Sequence, residues 1–368
     1  MLVQGNMNPL QEGAFPMAWR HLRSLRAKPP GAAGANPDRR SMFTASLEQA
    51  EQLFVAAASA GVMTKPLQLY YGLSQAGRAV AAIAPNVPDQ QQGKPAEPWK
   101  LSGHGIAIPT MQQSVAACGG SLGLLPVADK GLGAFTQMAD VLGCGSLIDK
   151  KPDGSPAARV TVGQIWGTLP ESVMFWLTGR VGFPMLEIEN EPFGVISGTG
   201  WESATLEPIP DSDKEAGIVG LKEFLGHYPD AGAWALPAEV LGTDPADMWS
   251  PGKIHSNLNV LTLLWPEVAT PGKPHDVLTG VEARVGARYF NTAYLFPALG
   301  DNARPLHPLL AWWAILYALS MVARYEPVAW TEMTAINTSS EAACIEHLLD
   351  TAVIRLPRLV LDVIDELT

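Results

Sequence analysis

Cysteine is scarce in this chain of 368 residues: Cys118, Cys144 and Cys344 are the full complement, widely separated and odd in number. That rules out a dense disulfide framework, and no zinc-type ligand spacing appears; reduced thiols in a cytosol fit better. Basic residues are also in the minority, 25 against 36 acidic, for a formal charge of -11. A general nucleic-acid binder needs a basic surface to displace counterions, so this balance argues against that class. The opening MLVQGNMNPLQEG lacks the basic segment and apolar run of a secretory signal. The expectation is a cytoplasmic protein with no metal, no cofactor and no membrane span.

What is present is an ordinary folded composition, 47% hydrophobic and 17% charged, in a chain long enough for two domains or one large domain with insertions. Charge is unevenly spread. Residues 1–40 hold six cations (Arg20, Arg23, Arg26, Lys28, Arg39, Arg40) against two acids, a net of +4, which leaves -15 on the remainder. Such an arm can touch nucleic acid through Arg20, Arg23, Arg26 and Lys28, or dock on its own acidic body, the more economical reading.

A short basic helix is expected over residues 16–27, followed by a linker, PPGAAGANPDRR, at 29–40. SLEQAEQLFVAAASAG then reads as a helix: Ser46 and Gln49 are spaced for a capping box, Leu47, Ala50, Leu53, Phe54 and Ala57 make one apolar stripe, and Gly61 fits the stop. A second helix follows, with Pro66 in its first turn and Pro85 past its end. From residue 86 Pro and Gly become frequent, with VPDQQQGKPAEP and KKPDGSP as exposed loops. ARVTVGQIW, PMLEIE, FGVIS and ATLEPI carry the β-branched, alternating character of strands. The expected fold is α+β, mainly α: a basic arm and linker (1–40), a helical bundle built from 41–85 and 301–368, and a loop- and strand-rich insertion (86–300).

The stretch PLLAWWAILYALSMVA, residues 308–323, has no charge and so reads as a helix apolar all round. Sixteen residues at about 1.5 Å each span roughly 24 Å, short of the ~30 Å hydrocarbon core, so a buried helix is expected. It closes in Arg324, where last-turn carbonyls favour a cation, and Pro327 stops it. Tyr325, Glu326 and Trp330 beside them form a group able to hold an arginine by ion pair and ring face. A last helix is expected from a Thr338–Glu341 capping box, with a break at Pro357.

No catalytic motif is complete. GLSQAG, residues 72–77, nearly matches the nucleophile elbow and makes Ser74 a candidate serine nucleophile, but Ala76 fills a glycine position and Tyr70, Ser74 and Arg78 fit one helical face equally well. His104, between glycines in SGHGI, can face a ligand or simply fix a loop. CGGSLG, KGLGAF and SGTGWES lack the spacing of phosphate-binding fingerprints and read as loops or turns. Arg304, His307, Trp312 and Trp313 gather where the apolar helix begins; His307 is a candidate cap, and the paired indoles are core or a base-stacking surface. Arg78 is the other polar outlier, expected to approach Arg324, Tyr325 and Glu326 where the first and last helices pack.

KPLQLYYGLSQAGRAVAA (65–82), SGHGI (102–106) and HPLLAWWAILYALSMVARYEPVAW (307–330) resemble the bacterial YaaC-like family, from about residue 45 to the end. The resemblance carries no assigned reaction with it. The helical ends are similar to HEPN-type domains, which occur in RNA-cutting toxins and antiphage systems. Catalytic members of that group place a histidine four to six residues after an arginine; here no histidine stands at that distance, and Arg304 and His307 are too close. The resemblance therefore implies a cytoplasmic binding or assembly component of a stress or defence system, with a protein partner or self-association. A serine-type hydrolase at Ser74 and a purely structural subunit are the alternatives.

Overall fold

The computed structural model describes residues 14–89, 97–151, 153–179, 183–196, 199–251, 258–267, 280–290 and 292–368. The opening segment, the middle of the VPDQQQGKPAEP loop, Pro152 of KKPDGSP and the first two residues of SGTGWES lie outside this set. Helix accounts for 55% and strand for 14%, so the fold is α+β and mainly α. The chain divides into two compact units, one made of residues 1–166, 171–180 and 307–368, the other of 167–170 and 181–306.

The first unit is built on helices α1 (Ala14–Ala27), α2 (Pro37–Ser59), α3 (Lys65–Ile83), α4 (Ala134–Leu142), α5 (Pro308–Tyr325) and α6 (Ala342–Leu367). N- and C-terminal segments thus share one core, in which α3 packs on both α2 and α5. Their seam is close. A Cβ on Gly77 of α3 would lie 2.2 Å from the Trp313 ring of α5, so only glycine fits. Helix α5 is long and apolar enough to cross a membrane, but 78% of it is buried inside the unit, as core requires. Trp312 and Trp313 are both wholly buried, and the indole of Trp312 meets Trp166 edge-on at 5.5 Å; they are core, with no ring face open to a base.

Four local expectations need correction. The 29–40 segment is helical, a short turn at Gly31–Ala35 and then α2, whose true N-cap is Asn36 accepting from the Asp38 and Arg39 amides; Pro37 pre-sets the first turn. Ser46 is therefore mid-helix and buried. ARVTVGQIW yields only a two-residue strand before the helix Val162–Trp166, because Thr161 and Gln164 cap each other reciprocally and start a helix there. The Thr338–Glu341 box is not formed. Glu341 is spent elsewhere: its buried carboxylate accepts from Ser121 Oγ at 2.7 Å, Gly123 N at 3.2 Å and Thr178 N at 2.6 Å, clasping two loops to the start of α6. Finally, α6 runs unbroken through Pro357, because Leu356, Leu359, Val360, Val363 and Ile364 are buried to both sides and packing outweighs the ~3 kcal/mol penalty.

The basic helix α1 lies against α6 and α2, burying Ala18, Trp19 and Leu22. Arg23 pairs with Glu51, and Arg26 with Glu48 and Glu51, so part of its charge is met by its own neighbour. Strands β1 (Ile106–Ala107), β2 (Pro126–Asp129) and β3 (Val160–Thr161) form a small antiparallel sheet in this same unit, with β1 against α4 and α5. The change of texture at residue 86 is therefore not the start of the second unit.

That second unit carries β4 (Leu186–Ile196), β5 (Trp201–Pro210), β6 (Trp249–Pro251), β7 (Leu258–Pro266), β8 (Ala287–Tyr289) and β9 (Thr292–Leu295) in the order β6-β7-β5-β4-β9-β8, with every neighbouring pair antiparallel. LEIE of PMLEIE and FGVI of FGVIS are thus parts of one strand, Ser197 lying outside the described residues. Alternate residues Leu186, Ile188, Ala204, Leu206, Leu261 and Leu263 form one core with Leu221, Phe224 and Leu225 of the helix Gly217–Leu225.

Candidate functional site

Helix α3 presents Tyr70, Ser74 and Arg78 four residues apart, one column on one face. Tyr70 is 2% exposed, and burial first, then the neighbouring Tyr317 phenol, pushes its ionisation well above the ordinary tyrosine range. It stays a neutral phenol. Its hydroxyl lies 2.7 Å from Nδ1 of His104, which the SGHGI loop holds over α3. A buried hydroxyl must find an acceptor for its proton, and Nδ1 is the partner at hand. Tyr70 therefore donates to Nδ1, which leaves the proton of neutral His104 on Nε2.

The His104 loop is itself pinned. Gly103 and Gly105 take left-handed backbone, the Phe135 amide donates to the His104 carbonyl at 3.1 Å, and the Lys130 amide donates to the Gly105 carbonyl at 2.9 Å. Asp129, buried, accepts from Gly131 N at 2.8 Å, Thr136 Oγ1 at 2.5 Å and Ser146 Oγ, and so fixes the KGLG turn that brings Lys130 beside His104.

From the other side, α5 contributes Tyr317, whose ring is 5.5 Å from Tyr70 and 5.9 Å from His104, and which burial lifts to a pKa of about 12. Two turns further, Arg324 donates from Nη1 to the Tyr71 hydroxyl at 3.1 Å and lies over the Tyr325 ring at 4.9 Å. The His104 imidazole is packed on one side by two tyrosines and open on the other. Its pKa is lowered from 6.5, first by burial and then by Lys130, Arg324 and Arg78. Three cations thus act on one neutral imidazole. Among the described residues none of the three forms an ion pair.

The remaining candidates fall elsewhere. Ser74 sits mid-helix between Tyr70 and Arg78, with no hydrogen bond to a histidine among the described residues. His307 caps α5, its Nδ1 accepting from the Leu309 amide at 3.0 Å. Arg304 belongs to the second unit, where its charge acts on Asp230. Glu326 is the residue at which α5 ends and makes no ion pair with Arg324 among the described residues, while Trp330 turns inward and donates to the Val62 carbonyl at 3.3 Å. No local pattern marks Lys130 or Tyr317; only the fold brings them to His104.

No group of three or more His, Cys, Asp or Glu side chains able to hold a metal occurs among the described residues. The family model described as "YaaC-like Protein" matches residues 25–364. No curated protein and no solved structure matches the chain.

Proposed function

We propose a binding role for this chain, which belongs to the YaaC-like family: it holds an anionic ligand of the phosphate class on the open face of His104. The observation that carries this reading is an exposed, neutral His104 imidazole held by Tyr70 at 2.7 Å, on which the charges of Lys130, Arg324 and Arg78 act while none of the three forms an ion pair among the described residues. An arginine over an exposed ring, with one hydrogen bond to Tyr71 and two further cations acting on the same imidazole, fits an oxyanion far better than a structural anchor. A purely structural arginine would have its partners inside the protein.

The setting we infer, a cytoplasmic binding or assembly component of a bacterial stress or antiphage system, rests on the likeness of the helical ends to HEPN-type domains. The missing arginine–histidine spacing supports binding over RNA cleavage. A serine-type hydrolase is the competing reading, since Ser74 lies in the same column as Tyr70 and Arg78.

Calorimetric titration of the full chain with pyrophosphate tests the proposal. Arg324→Ala is expected to weaken binding about tenfold, the loss of one charge-assisted contact, while moving the melting temperature little, because the side chain is exposed. A lower melting temperature with unchanged affinity makes Arg324 an anchor and overturns the reading. Labelling of Ser74 by a fluorophosphonate probe would replace it with the hydrolase.

A further inference from the structure

We infer that the ligand is a mononucleotide, an aromatic base on a short phosphate chain; this rests on the anion-binding reading and names its ligand. The aromatic residues at the face fall into two layers. Tyr70 and Tyr317 are 2% and 4% exposed and serve to orient His104. Tyr71 and Tyr325 are 37% and 52% exposed, and both touch Arg324, Tyr71 also packing its ring on Tyr70 at 5.3 Å. Exposed phenol rings beside Arg324, which has no ion pair among the described residues, offer what inorganic phosphate cannot use: a flat apolar surface, with a guanidinium plane on it, at the margin of the anion site. A nucleobase stacks on such a surface while its phosphates reach His104 Nε2–H, Lys130 and Arg78.

Charge decides between a mononucleotide and a polymer. A single strand needs a basic track to follow its backbone. Outside the first forty residues this chain carries -15, and within them Arg23 and Arg26 are already paired to Glu48 and Glu51. Three cations act on His104, enough for a ligand of two to four charges. No covalent step is implied.

The experiment is a set of titrations of the full chain, without divalent metal, using ATP, UTP, tripolyphosphate and a ten-residue oligouridylate. Both nucleotides are expected to bind about tenfold more tightly than tripolyphosphate, the contribution of one stacked base. Tyr325→Ala should erase that difference and leave tripolyphosphate unchanged, and Tyr325→Phe should retain it. Nucleotides no tighter than tripolyphosphate overturn this inference while sparing the anion site. Failure of all four ligands overturns both. An oligouridylate that outcompetes ATP, with affinity falling steeply in salt, overturns the mononucleotide in favour of a nucleic-acid strand.

Discussion

Two arginines of the helical unit, each lying over an aromatic ring, show how differently the same side chain is used. Arg39 lies 5.4 Å from the Trp99 ring and Arg324 lies 4.9 Å from the Tyr325 ring. Arg39 is 1% exposed, and four of its five N–H donors are spent inside the protein: Nη1 donates to the Ala82 and Ala84 carbonyls at 3.3 and 3.1 Å, Nη2 to Val87, and Nε to Asp89 at 2.6 Å. It closes the C-terminal end of α3, where orphan carbonyls and the helix dipole both favour a cation. Arg324 is exposed and, among the described residues, gives one hydrogen bond, to Tyr71. A guanidinium whose donors end on carbonyls and a carboxylate of its own chain is architecture. One that has no ion pair among the described residues, and acts on the same imidazole as two further cations, is what the proposed anion site would use.

The sharpest way to break this contrast is to remove Arg39. Arg39→Ala strands two helix-end carbonyls and the Val87 carbonyl in a buried site, at a cost of about 3 kcal/mol. Urea unfolding should show that loss, and Arg39→Lys should recover little of it, since one ammonium cannot reproduce the fork. Pyrophosphate affinity of the folded fraction should not change. A variant as stable as the parent would show that Arg39 is no more structural than Arg324.

Second in size is Gly77→Ala, at the α3–α5 seam directly before Arg78 in the chain. The added methyl meets the wholly buried Trp313 ring, which has no room to retreat, and overpacking of this kind costs about 2 kcal/mol. Arg78→Ala, one residue on, should cost little stability and weaken pyrophosphate instead. Thermal unfolding and calorimetry on the two neighbours would separate seam from site.

How much of this could be read in the sequence depended on how local the cause was. Helix α5 was legible because an uncharged run ending in Arg324 and Pro327 states its own burial and its own stop. The arm and linker misled: Gly and Pro in PPGAAGANPDRR outweighed the better signal, Asn36 before Pro37, an N-cap followed by the residue that suits the first turn. Burial of Arg39 has no local sign at all, since the carbonyls it answers stand more than forty residues later. Of the candidate site, Arg78, His104, Arg324 and Tyr325 stood out as polar or aromatic outliers on apolar ground. Lys130 did not, being hidden in a glycine-rich loop whose shape is set by Asp129. Glu341 looked like half of a capping box because spacing along the chain cannot show that its carboxylate is claimed by Ser121, Gly123 and Thr178.

The smallest effect, and the most specific to the open face, is a pH dependence. His104 and His347 both have pKa values lowered from 6.5, in each case by burial first. The unfolded chain therefore binds more protons than the folded one just below pH 6.5, so stability is full above that value and falls as pH drops through the folded values. For His347, packed on Phe175 with its Nε2 3.3 Å from the Glu171 carbonyl, an added anion changes nothing nearby. For His104 the lowering also comes from Lys130, Arg324 and Arg78, and an anion bound among them cancels that push. Proton NMR of the two imidazoles should then show both titrating below 6.5 in the free protein, and His104 alone moving upward when pyrophosphate is added. Equal movement of both, or none, would mean that the three cations are not where the anion binds.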